Sequence, residues 1–449
     1  MIDKSGVPEN MSSPIELETA QYHVKKGNEL RIKGDIEGAI EKYTKAIVLE
    51  PSNLTALQLL AKVYEDLNQL DSAVEVYKNA IKKESNSSIF HAKIGEIYQK
   101  NNQYGKALFW YCKAIELDPK IAFPYYKLKY LKLNPEQIQK AINCLQNSLD
   151  CNESKLPIVR YIILGDLLSQ QGKIDEAIHC YQVAVSQQVI NSHSKNIEKQ
   201  LQAQQSNGPN FIVIGVGKCG TSSLSKYIEQ HPEVLPAAEK EIHFFNKKYE
   251  FGLDWYKSHF PKISNQSQFI TGESTPWYLN SLGVEKRIFQ HFPNIKLIVI
   301  LRNPVHRAFS QYNMHFQKGI EKRSFENVVK SEIKQIRKIK DLNLNYSPPG
   351  KGCLGIGLYV YFLERWMSIF PKQQFLILES EDLRKKPQQT MSKVFNFLNL
   401  SNCENINFKQ YNASDYSPID ANMHSTLCKF FEPYNQKLEK YLDVKFDWS

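Results

Sequence analysis

The sequence lacks an apolar run that could cross a membrane, and its first residues lack the basic and apolar regions of a secretory signal. The longest apolar runs, such as residues 211–216, are far shorter than the roughly 18 residues that a spanning helix needs. Eight cysteines are scattered without a Cys-x-x-Cys pair, which is typical of unpaired thiols in a reducing compartment. These absences predict a cytoplasmic protein without a transmembrane segment.

Signatures of metal centres and of nucleoside triphosphate sites are also missing. The sequence contains no His-Glu-x-x-His motif and no Cys/His cluster, so it predicts no metal centre. No glycine is followed by Lys-Ser/Thr, the order with which loops for ATP or GTP hold phosphate and magnesium. The second absence counts against a P-loop kinase or NTPase.

Length and charge are the first features that the chain does have. Its 449 residues exceed one ordinary hydrophobic core, so we expect two or more domains. The formal net charge of +10 lies almost entirely in residues 201–449, and residues 1–200 are nearly neutral. A basic half is typical of proteins that bind an anionic ligand, nucleic acid or a membrane surface. We expect no nucleic-acid partner, since basic runs such as Arg384-Lys-Lys386 equally suit a solvated surface.

A repeat of about 34 residues runs through residues 15–190. Small residues, alanines, and tyrosine or leucine residues recur at this spacing, at Gly27, Ala61, Gly95, Lys129 and Gly165, at Ala39, Ala73, Ala107, Ala141 and Ala177, and at Tyr43, Tyr77, Tyr111, Leu145 and Tyr181. Such a period is typical of helix-turn-helix units that bury their apolar faces by stacking. The pattern resembles the tetratricopeptide repeat family and predicts an N-terminal all-α solenoid of about five units.

The fourth unit departs from the repeat, because Lys129 occupies a small-residue position. The resemblance implies a concave surface for a peptide or protein partner. The residues leave two alternatives open, which are a spacer and a self-association module. A polar stretch rich in Gln, Asn and Ser follows, and it predicts a linker over residues 191–208.

The second half, residues 209–449, begins with the pattern of an anion-binding loop. An apolar β-run, residues 211–215, leads into Gly215-Val-Gly-Lys-Cys-Gly-Thr-Ser-Ser223 and then into a predicted helix. A strand, a glycine-rich turn and a helix N-terminus direct backbone N–H groups and the helix dipole toward a phosphate. Lys218 adds a positive charge, and the residues from Thr221 to Ser223 add hydroxyl groups.

A second candidate anion site follows another β-run. Lys296-Leu-Ile-Val-Ile-Leu301 precedes Arg302 and a predicted helix that carries Ser310. Open α/β sheets bind ligands at the carboxyl ends of their strands, so Arg302 and Ser310 can offer a guanidinium fork and a hydroxyl to a phosphate. Two anion sites on two strands suit a nucleotide that is phosphorylated at two positions.

The ordered motifs of this half resemble the sulfotransferases that use 3′-phosphoadenosine 5′-phosphosulfate (PAPS). Lys218-Cys-Gly-Thr-Ser-Ser223 is similar to their 5′-phosphosulfate loop, and Leu301-Arg-Asn-Pro-Val-His-Arg-Ala-Phe-Ser310 is similar to their 3′-phosphate motif. Further motifs resemble the heparan sulfate glucosaminyl sulfotransferase branch, namely His231-Pro-Glu-Val, Glu239-Lys-Glu-Ile-His-Phe-Phe245, Gly252-Leu-Asp-Trp-Tyr256, Gly272-Glu-Ser-Thr-Pro-Trp-Tyr278 and Phe446-Asp-Trp448. The resemblance implies an α/β P-loop-like domain with a central parallel sheet, and PAPS as co-substrate.

The resemblance also implies which residues bind the cofactor. Lys218 would contact the 5′-phosphate and stabilise the leaving group. Arg302 and Ser310 would hold the 3′-phosphate, and Tyr359 would approach the cofactor. The cradle of the 5′-phosphate would consist of Gly220, Thr221, Ser222 and Ser223.

Two further residues would act on the acceptor. Glu241 matches the general base of the family, and His243 matches a neighbouring active-site histidine. A sugar hydroxyl is a poor nucleophile until a positioned carboxylate takes its proton, which explains why such an enzyme needs an acid at this place.

Two departures from the family pattern are visible. The family's Glu-Lys-Thr-Pro becomes Glu273-Ser-Thr-Pro276, which loses a lysine that touches cofactor and acceptor. The family's cysteine-bracketed clamp loop is absent, so Cys403 and Cys428 are predicted to be free thiols, and Lys409 or Tyr411 is a candidate to replace the clamp.

The sequence therefore predicts an enzyme that moves a sulfuryl group from PAPS to a hydroxyl or amine, most favourably of a carbohydrate, without a metal. One alternative is a protein tyrosine sulfotransferase that recruits its substrate through the repeats. The others are a P-loop kinase or NTPase and a binding protein with an inert C-terminal domain.

Overall fold

A computed structural model of the chain describes residues 19–149, 156–193, 206–263, 267–339, 342–343, 345–348, 352–409, 411 and 417–448. The chain forms two compact units that divide between Gly172 and Lys173. The predicted fold class is confirmed, because the first unit contains helical repeats and the second an α/β domain with a parallel sheet. The division falls before residue 190, where the sequence predicts the end of the array, and most of the predicted linker lies outside the described residues. In the part of the chain that the structure describes, no helix has both the length and the hydrophobicity for crossing a membrane.

The first six helices of the first unit pack in consecutive pairs, as the 34-residue period predicts. Asp35 and Asn53 cap two of these helices by accepting hydrogen bonds from backbone N–H groups of the first turn, at 2.9 Å each. The described helices of this unit are α1 (Ala20–Ile32), α2 (Ile36–Leu49), α3 (Leu54–Asp66), α4 (Leu70–Lys83), α5 (Ser88–Lys100), α6 (Tyr104–Leu117), α7 (Ala122–Leu128), α8 (Pro135–Leu149) and α9 (Val159–Gln170).

The small residues of the repeat allow the paired helices to approach closely. A Cβ atom at Gly27 would lie 2.6 Å from the ring of Tyr43, and one at Gly95 would lie 2.7 Å from the ring of Tyr111. Both tyrosines are fully buried. In these two units, the glycine of one helix and the tyrosine of the paired helix therefore form a single close contact.

The fourth unit is irregular at the residue that breaks the pattern. Its first helix, α7, has seven residues and ends directly before Lys129. The ammonium of Lys129 lies 3.5 Å from the carboxylate of Asp166 on α9. The helix thus ends at the residue that breaks the pattern, and this lysine pairs with a carboxylate of the next unit.

The second unit is built from a sheet with helices between its strands. Its strands are β1 (Phe211–Gly215), β2 (Val234–Leu235), β3 (Ile270–Ser274), β4 (Lys296–Leu301) and β5 (Phe375–Glu379). Its described α-helices are α10 (Ile174–Ser192), α11 (Thr221–Ile228), α12 (Leu253–Lys257), α13 (Val284–His291), α14 (Pro304–Gln317), α15 (Phe325–Arg337), α16 (Tyr359–Met367), α17 (Ser380–Lys385), α18 (Pro387–Leu398) and α19 (Ala421–Leu442). One π-helical turn spans Phe244–Lys248, and short 3₁₀ turns span Tyr249–Phe251, Gly355–Gly357 and Lys372–Gln374.

All pairings in the sheet are parallel, in the order β2-β3-β1-β4-β5. Phe211 of the central strand β1 lies opposite Gly272 of β3 and Lys296 of β4. Every residue of β1 is buried, as is typical of a strand covered on both faces. This register brings the carboxyl ends of β1, β3 and β4 to one edge of the sheet, where ligands bind in open α/β folds.

Helix α10 belongs to the second unit although it continues the repeat in sequence. The ring of Tyr181 lies 3.9 Å from the ring of His259 and 5.3 Å from that of Trp255, measured between centroids. The same helix contributes two valines to a buried cluster formed by Val185, Val189, Leu235, Ala238 and Ile263. The final helix of the array is thus part of the α/β core.

Candidate active site

The predicted phosphate loop joins β1 to α11. The strand ends at Gly215 and the helix begins at Thr221. Between them, Lys218 and Gly220 adopt left-handed conformations with φ angles of 73° and 94°. The first N–H groups of a helix have no partner within the helix, so this turn presents donors at the carboxyl edge of the sheet.

Cationic side chains surround this loop. Arg302 donates from Nη1 to the carbonyl oxygen of Lys218 at 3.3 Å, and Arg307 donates to that of Gly217 at 3.5 Å. Burial lowers the pKa of the Lys218 ammonium, and repulsion from Lys318, Arg302 and Arg307 lowers it further. Such mutual repulsion is relieved when an anion occupies the loop.

The second predicted anion site lies next to the first. Arg302 directly follows β4, and Asn303 caps α14 by accepting a hydrogen bond from the N–H of Val305 at 2.9 Å. Ser310 is buried on the same helix. Among the described residues, the buried Nε of Arg302 has no hydrogen-bond partner. The guanidinium thus keeps a donor for a ligand at the edge of the sheet.

Arg307 is a site residue that has no role in the prediction from sequence. Its side chain is fully buried, and its guanidinium donates to Gln311 Oε1 at 2.8 Å and to the carbonyl oxygen of Cys353. It therefore connects the phosphate loop with the residues that follow α15. The only sequence signal was its spacing from Arg302, which an ordinary surface arginine would share.

Tyr359 is the first residue of α16 and is fully buried. Its hydroxyl donates to the carbonyl oxygen of Arg302 at 2.8 Å and lies 3.9 Å from the sulfur of Cys219. Tyr359 thus contacts both predicted anion loops from the interior of the domain. Its direct approach to a cofactor stays a prediction.

Glu241 and His243 lie on an unusual backbone segment between β2 and the π-helical turn. Both residues adopt left-handed conformations, with φ angles of 62° and 59°. The N–H of Glu241 donates to the carbonyl oxygen of Ser274 at 3.1 Å, and that of His243 to Thr275 Oγ1 at 3.5 Å. These bonds place both residues at the carboxyl end of β3, the same edge that carries the phosphate loop.

Two nitrogen atoms flank the Glu241 carboxylate. The Nε2 of His243 lies 3.6 Å from Oε2, and the Nζ of Lys240 lies 3.5 Å from Oε1. The His243 contact is the largest cause that lowers the pKa of Glu241, and the charge of Lys240 lowers it further against the effect of burial. The carboxylate is therefore ionised at neutral pH, as a general base must be.

Lys240 connects this carboxylate with the phosphate loop. Its ammonium donates to the hydroxyl of Ser222, in the first turn of α11, at 2.7 Å. Lys240 has no role in the prediction from sequence. Its position beside Glu241 in the chain was the only available signal, because the contact with Ser222 depends on the fold.

Glu273 supports the segment from inside the domain. Its Oε1 accepts hydrogen bonds from the hydroxyls of Tyr256 at 2.6 Å and Tyr278 at 3.1 Å, and its Oε2 accepts one from Thr275 at 2.7 Å. Burial raises the pKa of Glu273 to about 6. Because Thr275 also contacts the N–H of His243, this buried carboxyl helps to fix the histidine backbone.

The residues named as candidates for a missing clamp lie beside α11. The N–H of Tyr411 donates to Ser223 Oγ at 3.2 Å, and the hydroxyl of Tyr227 donates to the carbonyl oxygen of Lys409 at 3.1 Å. A clamp role for either residue stays a prediction. The two cysteines named above are free thiols, as predicted. Within the described part of the chain, no group of three or more His, Cys, Asp or Glu residues could hold a metal ion.

The strand order distinguishes this loop from a dinucleotide-binding loop. Gly215, Gly217 and Gly220 have the Gly-x-Gly-x-x-Gly spacing of dinucleotide sites. In the dinucleotide fold, β1 lies between β2 and β4. Here β1 lies between β3 and β4, so the glycine spacing does not indicate a dinucleotide site.

The sequence matches known families in both halves. Residues 208–429 match the family model described as "Sulfotransferase domain", residues 27–68 match a "TPR repeat", and residues 54–83, 90–121 and 160–188 match a "Tetratricopeptide repeat".

Similar curated proteins align with about half of the chain. Membrane-associated sulfotransferase kil1 of Dictyostelium discoideum is 29% identical over 315 residues, which cover 54% of this chain and 66% of that protein. Heparan sulfate glucosamine 3-O-sulfotransferase 6 of Homo sapiens is 32% identical over 265 residues, which cover 54% and 74%. Bifunctional heparan sulfate N-deacetylase/N-sulfotransferase 3 of Mus musculus is 29% identical over 266 residues, and the chain spans 30% of its length.

Among solved structures, a sulfotransferase from Alicyclobacillus acidocaldarius aligns with a TM-score of 0.45 at 26% identity, covering 53% of this chain and 97% of that one. The match to the sulfotransferase domain model and the 32% identity to a 3-O-sulfotransferase over most of its length agree with the strand-loop-helix geometry of the phosphate loop. The chain therefore belongs to the sulfotransferase family, with tetratricopeptide repeats preceding its sulfotransferase domain.

Proposed function

We propose that the chain transfers the sulfuryl group of PAPS to a hydroxyl or amine, most favourably of a carbohydrate. One observation carries the proposal: the Lys240 ammonium lies 2.7 Å from Ser222 Oγ in the phosphate loop and 3.5 Å from the carboxylate of Glu241. The candidate base is thus close to the helix N-terminus that would hold the leaving phosphate. In-line transfer places the acceptor nucleophile beside the leaving group, so the base that takes the proton of the acceptor must lie near the leaving group as well.

The residues present fit a nucleotide with phosphates at two positions. The first turn of α11 and Lys218 supply one set of donors, and Arg302 with its unpartnered buried Nε supplies another. The two sets are adjacent, because Arg302 contacts the carbonyl oxygen of Lys218 at 3.3 Å. PAPS, when bound, supplies an activated sulfuryl group attached to a phosphate leaving group.

Each residue has a defined part in this proposal. Lys218 neutralises the charge that grows on the leaving phosphate, which is the contribution that a metal makes in other transfer enzymes. Arg302 and Ser310 hold the second phosphate. Glu241 accepts the proton of the acceptor hydroxyl or amine, and His243 keeps that carboxylate oriented.

The names of the relatives support the choice of acceptor class. The names of several relatives specify heparan sulfate, so we propose a carbohydrate acceptor for this chain. A tyrosine-containing peptide recruited through the repeats is the alternative. The assay that separates them measures transfer from labelled PAPS to polysaccharides, tyrosine peptides and small alcohols. Preferential labelling of peptides contradicts the carbohydrate proposal, and labelling of none contradicts the activity itself.

Binding of the cofactor is tested separately by calorimetry on the full chain. We expect adenosine 3′,5′-bisphosphate to bind more tightly than ATP, because two anion sites flank the edge of the sheet. ATP that binds equally or more tightly would contradict the sulfotransferase proposal and favour a kinase.

We also propose a cytoplasmic location. The described cysteines are free, which suits a reducing compartment. One relative carries the words "membrane-associated" in its name, so fractionation of cells is the decisive measurement. Recovery of the chain in the membrane fraction contradicts this proposal.

A further inference from the structure

Lys240 is a cation at the site that none of the roles above uses. Its side chain is half-buried. Lys240 precedes Glu241 in the chain, and its ammonium contacts Ser222 in the first turn of α11. Burial lowers the pKa of its ammonium, whereas the neighbouring Glu241 carboxylate acts in the opposite direction. A lysine that is only a solvated surface residue would not accept this desolvation.

We propose that Lys240 is a positioning residue of the transfer reaction: its ammonium holds the Glu241 carboxylate against the phosphate loop. This inference rests on the proposed function. It assigns to Lys240 the link between the residue that accepts the proton and the helix N-terminus that holds the leaving group.

The backbone of Glu241 explains why its side chain needs such a link. The left-handed conformation at φ 62° and the bond to the carbonyl oxygen of Ser274 at 3.1 Å fix the peptide. They leave the carboxylate itself to be oriented by its neighbours. His243 lies at one oxygen, 3.6 Å away, and Lys240 at the other, 3.5 Å away. Removal of Lys240 frees one of the two oxygens and increases the range of carboxylate orientations.

The donor geometry of lysine suits this double contact. An ammonium has three N–H donors, so one can point at the Ser222 hydroxyl while another points at the carboxylate. The charged groups that act on Lys240 are Glu241 beside it and, from α11, Glu229 and Lys226. The groups that act on Glu241 are His243 and Lys240. Because few charged groups act on Lys240 and Glu241, a single substitution among them changes the pKa of Glu241.

The test compares Lys240→Met and Lys240→Gln with Lys240→Arg in the full chain. The matched control is Lys330→Met, because Lys330 forms an exposed pair with Glu326 at 2.6 Å on α15 and lies outside the proposed machinery. The measurements are kcat as a function of pH with saturating PAPS, and the dissociation constant of adenosine 3′,5′-bisphosphate without acceptor.

We expect Lys240→Met and Lys240→Gln to lower kcat by about 10- to 100-fold, the scale of a misplaced catalytic group. The acid limb of their pH profile moves to higher pH, since Glu241 loses a cation that favours its ionised form. Lys240→Arg restores part of the rate, and Lys330→Met leaves the rate unchanged. Bisphosphate binding by the variants shows that the domain is folded and that its phosphate loop is intact.

The outcomes separate this inference from the proposed function. A wild-type chain that binds no bisphosphate and transfers no sulfate overturns both. An active wild type with Lys240→Met and Lys240→Gln within twofold of its rate overturns only the positioning role. A lowered rate with an unmoved acid limb and no restoration by arginine also overturns it, because a purely structural lysine would behave in that way.

Discussion

Left-handed backbone at non-glycine residues marks the centre of the site at the scale of single residues. Lys218, Glu241 and His243 all have positive φ angles, between 59° and 73°. Side chains other than glycine, asparagine and aspartate rarely adopt this conformation, and it costs of order 1 kcal/mol or more. Three candidate catalytic residues therefore occupy strained backbone positions near one edge of the sheet.

Glu241→Gln is the substitution that tests the base. The amide keeps the shape of the carboxylate but cannot accept the proton, so we expect the rate to fall by about 10²–10⁴-fold. Bisphosphate affinity stays nearly unchanged, because Glu241 is not part of the phosphate cradle. The measurement pairs the initial rate at excess PAPS with a calorimetric binding constant.

Lys218→Ala serves as the contrast to that substitution. In the proposed mechanism its charge acts on both the bound and the departing phosphate, so we expect rate and bisphosphate affinity to fall together. A Glu241→Gln chain with more than about a tenth of the original rate would exclude Glu241 as the general base. Glu239 and His243 would then be the nearest candidates.

The titration of Glu241 predicts a pH dependence. The His243 contact is the main cause of its lowered pKa, so the carboxylate proposed as the base stays ionised down to below the ordinary pKa of 4.5. Activity should therefore be lost only as the pH falls through that lowered pKa. In His243→Ala the pKa of Glu241 rises, and we expect the acid limb of the kcat profile to move upward. This shift should exceed that of Lys240→Met, because the His243 contact is the larger cause. An acid limb that does not move in His243→Ala would show that the histidine does not act on the base.

At the scale of elements, the first unit depends on close contacts between paired helices. The contact of Gly95 on α5 with Tyr111 on α6 leaves no space for a side chain, since a Cβ atom would lie 2.7 Å from the ring. The Tyr111 ring is fully buried, so it cannot move into solvent without opening the pair.

Gly95→Leu should therefore destabilise the array. Overpacking a buried contact typically costs about 1–3 kcal/mol, and we expect a decrease of this size in the free energy of unfolding of the helical repeats. Urea unfolding followed by circular dichroism measures it. Gln146→Leu, on an exposed position of α8, is the matched control and should change stability little. Equal stability of both variants would contradict the assigned contact.

At the scale of the whole molecule, the two compact units do not divide where the repeat pattern ends. The tetratricopeptide match reaches residue 188, but the chain divides after Gly172, and α10 packs within the α/β domain. Val185 and Val189 lie in a buried cluster with residues of the sheet region, so α10 shields part of that core from water.

This division predicts the outcome of two truncations. A chain of residues 173–449 should fold and bind adenosine 3′,5′-bisphosphate as the full chain does, because all the proposed site residues lie within it. A chain of residues 193–449 lacks α10 and exposes the cluster around Leu235 and Ile263. Burial of each large apolar side chain contributes about 1.5–3 kcal/mol, so the shorter chain should lose several kcal/mol of stability.

Thermal unfolding and calorimetry of the two truncated chains check this prediction. Equal stability would show that α10 is dispensable to the α/β core. Loss of bisphosphate binding in a folded 173–449 chain would show that the repeats contribute to the cofactor site.

The resemblance of its motif to the sulfotransferases indicated Glu241, and local patterns determined the repeats, the strand-loop-helix unit of the phosphate loop and the position of Arg302. These features depend on residues that are close in the sequence: apolar periodicity, glycines at a turn, and a basic residue after a strand. For this reason the sequence alone predicted the fold class and the family.

Only the tertiary structure decided which residues of different elements contact one another. The contact of Lys240 with Ser222, the burial of Arg307, the bond of Tyr359 to the carbonyl of Arg302 and the strand order all join residues from different elements. The packing of α10 on the α/β core is of the same kind, because its tyrosine and valines would suit a repeat neighbour equally well. A residue's local pattern shows that it is apolar, charged or small, but the partner that satisfies it depends on which strands and helices become neighbours in the folded chain.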